Sequence, residues 1–250
     1  MKYRLFIIAA AFVFVFTGLI AAQKQQFPNQ LAQDFEAGRA PTATEVAGFE
    51  KDAAANPTDL HAVRKLGKAY FFQFFGDGIN EAIPKAEATL NKALAIRKDD
   101  PETLAYLGAM YVIQGQRLFD KDPAKQKAAF DKGFEIVRKA ESLADAREGA
   151  VTSVAAATYI FLPDSYGMVP HVIEMLEGAI KGMGPYFQKF SHHGQQRLLL
   201  TLGQAYARTN QPDKARVKFD EALKVDDKSD EAILIRKEQK KLPAVVAKAQ

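Results

Sequence analysis

Cysteine is absent from all 250 residues. That excludes disulfide stapling, thiol catalysis and a lipid-modified cysteine anchor, so stability must come from packing. Charge imbalance is also missing. Lys2 and Arg4 stand in a separate N-terminal segment, which leaves 32 basic residues against 30 acidic ones. The two signs are interspersed, with no basic stripe carrying stacking aromatics, so nucleic acid is not the expected partner. Only Arg236 to Lys248 is locally basic, as a solvated terminal helix would be. The motifs H-E-x-x-H, G-x-x-x-x-G-K-[ST] and G-x-S-x-G do not occur. His192-His193 is the one histidine pair, and adjacent positions on a helix point about 100° apart, which suits no metal. His171 and Glu174 share a helix face, which predicts a surface hydrogen bond. Gly178, Gly182 and Gly184 follow no strand and read as a frayed helix end rather than a phosphate loop. No enzyme activity, cofactor or metal is expected.

After residue 22 there is no apolar run of spanning length, since 150–162 is too short and contains Thr and Ser. Residues 1–22 differ. Met1 to Arg4 is a positive n-region and Leu5 to Ala22 is apolar except for Thr17 and Gly18, the pattern of an export signal. Cleavage after Ala22 or Ala21 places Ile20 or Leu19 at the −3 position, a poor fit to the small-residue rule. The segment therefore reads either as a signal peptide or as an N-terminal membrane anchor, with the remainder periplasmic in both cases. Pro28, Gly38 and Pro41 mark 23–42 as a linker.

The strongest feature that is present is self-similarity. Leu66-Gly67-x-x-Tyr70, Leu107-Gly108-x-x-Tyr111 and Leu202-Gly203-x-x-Tyr206 repeat one pattern, and the first two glycines are 41 residues apart. That spacing belongs to helix-pair repeats. A glycine inside a helix costs about 0.5–1 kcal/mol relative to alanine, so Gly203 implies that a partner helix passes close by. The last copy continues into Ala215, Phe219, Ala222 and Leu223 on a second helix, after the turn Asn210 to Asp213 with Pro212 at the helix entrance. Over this whole unit the sequence resembles the tetratricopeptide repeat (TPR).

The resemblance implies an all-α fold, a right-handed superhelical solenoid of antiparallel helix pairs over 43–228, with residues 229–250 as a capping helix and tail. Phe49 and Pro57 fit the second half of a degenerate first unit. Residues 151–162 and 172–180 fit a divergent unit without the Leu-Gly signature. In TPR proteins the first helices of successive units line a groove. Transferred by position, the groove holds His61, Arg64, Lys68, Phe71 and Phe72, then Ala105, Ala109 and Val112, then Arg197, Gln204 and Arg208. The chaperone-binding TPR class clamps a C-terminal carboxylate with Lys and Asn. Here Arg64 and Lys68 occupy relevant sites and the Asn is missing, so that specificity is not carried over.

Three turns are lengthened, at 75–80, 115–123 and 163–170, and insertions at equivalent points fall along one edge of a solenoid. Phe71, Phe72, Phe74, Phe75, Phe119, Phe161 and Tyr166 make this edge aromatic. It is either a second interface or ring volume packed beneath long turns. The leading expectation is an exported scaffold that binds a protein or peptide in the groove or along this edge. The segment Leu162-Pro163 to Gly167, combined with export, is similar to the T component of TRAP transporters. That similarity implies a ligand-binding or transport-associated helper, for which an apolar pocket closed by the aromatic turns would be the sign.

Overall fold

The computed structural model describes residues 41–75, 78–118, 121–144 and 149–243. The export segment, nearly all of the linker, Phe119 and the end of the tail lie outside the described residues. Among the described residues every regular element is helical and none is a strand. No described helix is long and apolar enough to cross a membrane.

The α-helices are α1 (Ala43–Ala55), α2 (Leu60–Phe75), α3 (Ala82–Ile96), α4 (Pro101–Arg117), α5 (Pro123–Leu143) and α6 (Gly149–Tyr159). They continue as α7 (Val169–Met183), α8 (His192–Arg208), α9 (Pro212–Val225) and α10 (Asp230–Gln239). Short 3-10 turns at Asp164–Tyr166 and Gly184–Lys189 flank α7. Local chemistry sets the starts. Thr42 and Glu45 form a capping box on α1, Asp100, Asp122, Ser191 and Ser229 cap α4, α5, α8 and α10, and Pro101, Pro123 and Pro212 sit in first turns. The glycine-rich break expected near 182–185 is real: α7 ends where Gly184 takes φ 51°.

Consecutive helices pair antiparallel. Gly67 lies against Leu90 while Tyr70 lies under Lys85, and Gly203 lies against Phe219 while Gln196 bonds to the carbonyls of Ala222 and Asp226. In α4 and α5 the backbones nearly touch. A Cβ on Gly108 would stand 2.8 Å from the Gly133 carbonyl oxygen, and a Cβ on Gly133 would stand 2.7 Å from that of Gly108. The repeat glycines are therefore sites of close approach, as their cost within a helix implied. The divergent unit keeps the register with different residues. Ala155, Ala156 and Tyr159, all buried, stand where the other units have Leu, Gly and Tyr. Ala156 keeps its Cβ, and α6 and α7 share less extensive contact than the other three pairs.

Each repeat tyrosine also reaches back one helix pair. Tyr70 donates to Glu50, Tyr111 to Glu87, Tyr159 to Glu141 and Tyr206 to Glu177. The apolar core runs along the chain rather than around one centre. One cluster joins α1 to α4, another extends from α4 to α10, and a small third one holds Leu104, Ala105, Ala140 and Val151 where α4, α5 and α6 meet.

Candidate functional site

Even-numbered helices turn one stripe each toward a shared interior. On α4 the stripe is Tyr106, Ala109 and Ile113, and on α8 it is His193, Arg197, Thr201 and Gln204, both at the three- and four-residue spacing of one helix face. Phe71, Phe72 and Phe75 of α2, Val154 and Ala157 of α6, and Leu234 of α10 complete the wall. Together they line a partly open chamber of about 330 Å³. Its size falls at the lower end of small-molecule sites, about 300–1,000 Å³.

The first and last units meet across this chamber. The Arg197 guanidinium lies 5.8 Å from the centre of the Phe75 ring, and Phe75 meets Phe161 edge to face at 6.3 Å. At the α2 end, Phe71 and Phe72 pack edge-on against Tyr106 at 5.3 and 5.9 Å. A hollow sharing Ile160, Phe161, Gln204 and Glu238 with the chamber continues toward Arg208 and Pro243.

Polar groups gather on the α8 and α10 side. His193 Nδ1 stands 2.8 Å from Glu231 Oε1, and Arg197 Nε stands 3.9 Å from the same oxygen. The His193 hydrogen bond holds the Glu231 carboxyl below its usual value, with His193 and Arg197 charge adding to it against burial. Burial pushes the Arg197 guanidinium down, and Glu231 opposes it. The Arg197 side chain still exposes 35% of its surface and lines the chamber.

Of the positions assigned to the groove, Phe71, Phe72, Ala109, Arg197 and Gln204 line the chamber. Arg64 and Lys68 are not free cations. Arg64 bonds to both oxygens of Asp100, at 3.1 and 2.9 Å, and pairs with Glu102 at 2.9 Å. Lys68 pairs with Glu102 at 2.5 Å and lies over the Tyr106 ring. Burial works against the Lys68 ammonium, but Tyr106 and Glu102 together hold its pKa raised. Asp100 caps α4 through Thr103, and despite burial Thr103 and Arg64 hold its carboxyl below the usual range.

Val112 is fully buried and faces α5, where its Cγ2 fills the space beside Gly133, so it lies behind the groove surface. Ala105 is likewise buried, in the small third cluster. Arg208 is drawn into the third long turn, bonding to the carbonyls of Ile160 and Leu162 and to Asp164. Tyr166 donates to Asp131 at 2.6 Å and packs edge-on against Phe134 at 5.1 Å, filling volume beneath its turn. His171 bonds to Glu141 rather than to Glu174. Among the described residues no cluster of three or more His, Asp or Glu side chains could hold a metal ion.

Sequence reasoning missed the contribution of α10, read as a cap although Leu234 and Glu238 line the chamber. It also missed Tyr106 and Ile113 and the pairing of His193, whose carboxylate partner lies 38 positions away. The α4 stripe was available in the pattern, three apolar residues at one helix face. No family model matches the chain, and no curated protein matches it either.

Proposed function

We propose that the chain is an exported TPR-type superhelix that binds a small ligand with an apolar body in its inner chamber. The observation that carries this reading is the approach of Phe75 and Arg197 across the interior, which gives the groove the dimensions of a ligand pocket. The wall is aromatic and aliphatic with a few convergent polar groups, the usual composition of small-molecule sites. Burying an apolar ligand there contributes about 25 cal/mol per Å² of area removed from water. The Tyr–Glu bonds between successive units and the close glycine crossings support the repeat assignment.

A helical or extended protein partner in the same groove is supported less well. Arg64 and Lys68, which were to hold its carboxylates, are engaged by Asp100 and Glu102. The test is binding of a neutral environment-sensitive dye, N-phenyl-1-naphthylamine, to the chain and to Ala157→Phe, which places a ring in the chamber. Saturable fluorescence in the parent, weakened about tenfold or more in a variant with unchanged helicity, is the expected outcome; tenfold corresponds to about 1.4 kcal/mol. Equal binding by both proteins would remove the chamber as the site.

A further inference from the structure

We infer that the ligand of this chamber is a monoanionic amphiphile whose head group is read by Arg197 and His193 and whose apolar body lies among the α2 and α4 aromatics. This inference rests on the proposal that the chamber is a ligand site, and adds the chemical class.

Three observations carry it. First, Arg197 is held only loosely within the chain. Among the described residues its one ion pair is through Nε at 3.9 Å, beyond hydrogen-bond distance, and its terminal nitrogens make no hydrogen bond. A guanidinium presents a fixed fork of donors that matches a carboxylate, so this side chain offers an unfilled anion-binding edge in an apolar enclosure. Secondly, His193 stands one helical turn before Arg197 on the same face of α8 and also lines the chamber. Its Nδ1 is engaged by Glu231, while its Nε2 is buried and, among the described residues, has no partner. A buried polar nitrogen left unpaired is costly, and a turn of the ring toward the chamber would bring it to a polar head group beside Arg197. Thirdly, the two carboxylates on this side are each bonded elsewhere, Glu231 to His193 and Glu238 to Lys241, while Arg197 has only the longer contact with Glu231. The polar end is thus distinct from the aromatic end formed by Phe71, Phe72 and Tyr106.

Size limits the body. At about 30 Å³ per small group, as for liquid water, the chamber accommodates roughly ten such groups. A medium-length chain or a compact ring system fits within the chamber itself.

The test displaces N-phenyl-1-naphthylamine with three ligands of equal chain length: decanoate, 1-decanol and decyltrimethylammonium. Decanoate is expected to compete at about tenfold lower concentration than decanol, the scale of a hydrogen bond to a charged group. Arg197→Gln, with helicity matching the parent as the check on folding, is expected to bring decanoate and decanol to within about twofold of each other; Arg197→Lys is expected to restore part of the preference. Equal competition by decanoate and decanol in the parent, or preference for the cation, overturns the anionic class and leaves the chamber as a ligand site. A preference for decanoate that survives Arg197→Gln overturns the assigned residue. Failure of the dye and of all three ligands to bind overturns the chamber reading and this inference with it.

Discussion

The Tyr159 hydroxyl donates a hydrogen bond to Glu141 at 2.8 Å, tying α6 to the preceding helix in the one unit that lacks the Leu-Gly signature. Tyr70, Tyr111 and Tyr206 make the same bond at their own junctions. Over three of these rings a lysine of the same unit is stacked: Lys85 on Tyr70, Lys132 on Tyr111 and Lys214 on Tyr206. The tyrosine thus packs within its unit through the ring and joins the unit before it through the hydroxyl.

These bonds predict alkaline sensitivity. Burial first, and the neighbouring carboxylate second, push Tyr70 and Tyr206 up to about 12, and raise Tyr111 and Tyr159 as well. A folded-state value raised above the unfolded one means that the stabilisation is fully present below pH ~10 and is lost as pH rises toward 12. Chemical unfolding at pH 8, 10 and 11.5 should show falling stability, with tyrosinate absorbance rising together with unfolding. Tyr206→Phe should cost about 1 kcal/mol at pH 8 and show a shallower alkaline decline.

The glycine crossings predict unequal responses to one methyl group. In Gly108→Ala the new Cβ meets main-chain atoms of α5, the Gly133 oxygen at 2.8 Å and the Val137 nitrogen at 2.9 Å, and neither can move without shifting the helix. The expected loss is about 3 kcal/mol. In Gly67→Ala the nearest atoms, at 2.7 and 3.0 Å, belong to the Leu90 side chain, which can change rotamer. There the gain in helix propensity, up to about 1 kcal/mol, offsets most of the strain. Urea midpoints of the two variants decide the ranking.

Asp100 is a buried hub joining α2 to the start of α4. Asp100→Ala would leave Arg64 and the Thr103 N–H without their acceptor, at an expected cost of about 2–4 kcal/mol. Because its folded-state value is lowered, its contribution is present above the ordinary carboxylate range and is lost as pH falls through that lowered value. The parent and the variant should therefore converge in stability toward acid pH, as read by denaturant titration at pH 7 and pH 3.

Arg208 fastens the turn after α6 by bonds to two carbonyls and Asp164. Arg208→Ala should speed amide exchange at Tyr166 and Gly167 by about tenfold, through easier local opening, while the buried α4 amides stay unchanged. An increase spread evenly over the chain would instead mean that Arg208 contributes to global stability.

Much of the architecture was legible because it is local or nearly so. Pro101, Pro123 and Pro212 start helices through their own geometry, Gly184 ends one through a positive φ, and Leu-Gly-x-x-Tyr fixes the register of a helix pair within about forty residues of chain. The divergent unit was recognised without its register, since Ala155 and Ala156 hide it and only Tyr159 marks it, through a bond to a residue that the repeat pattern does not specify.

Charge pairing was not legible. Arg64 looked like a free groove cation because its partners, Asp100 and Glu102, lie in the next unit, and His171 chose Glu141 over the carboxylate three residues away. Sequence alone determined that the chain is helical and where the glycine crossings fall, because those follow from propensity, capping and periodicity, whereas the inward face of α4 came out as Tyr106, Ala109 and Ile113 rather than Ala105, Ala109 and Val112. Only the tertiary structure decided that the groove is a chamber and that Arg197 keeps an unpaired edge. Those features depend on side chains far apart in sequence, since Phe75 and Arg197 meet across 122 positions of chain.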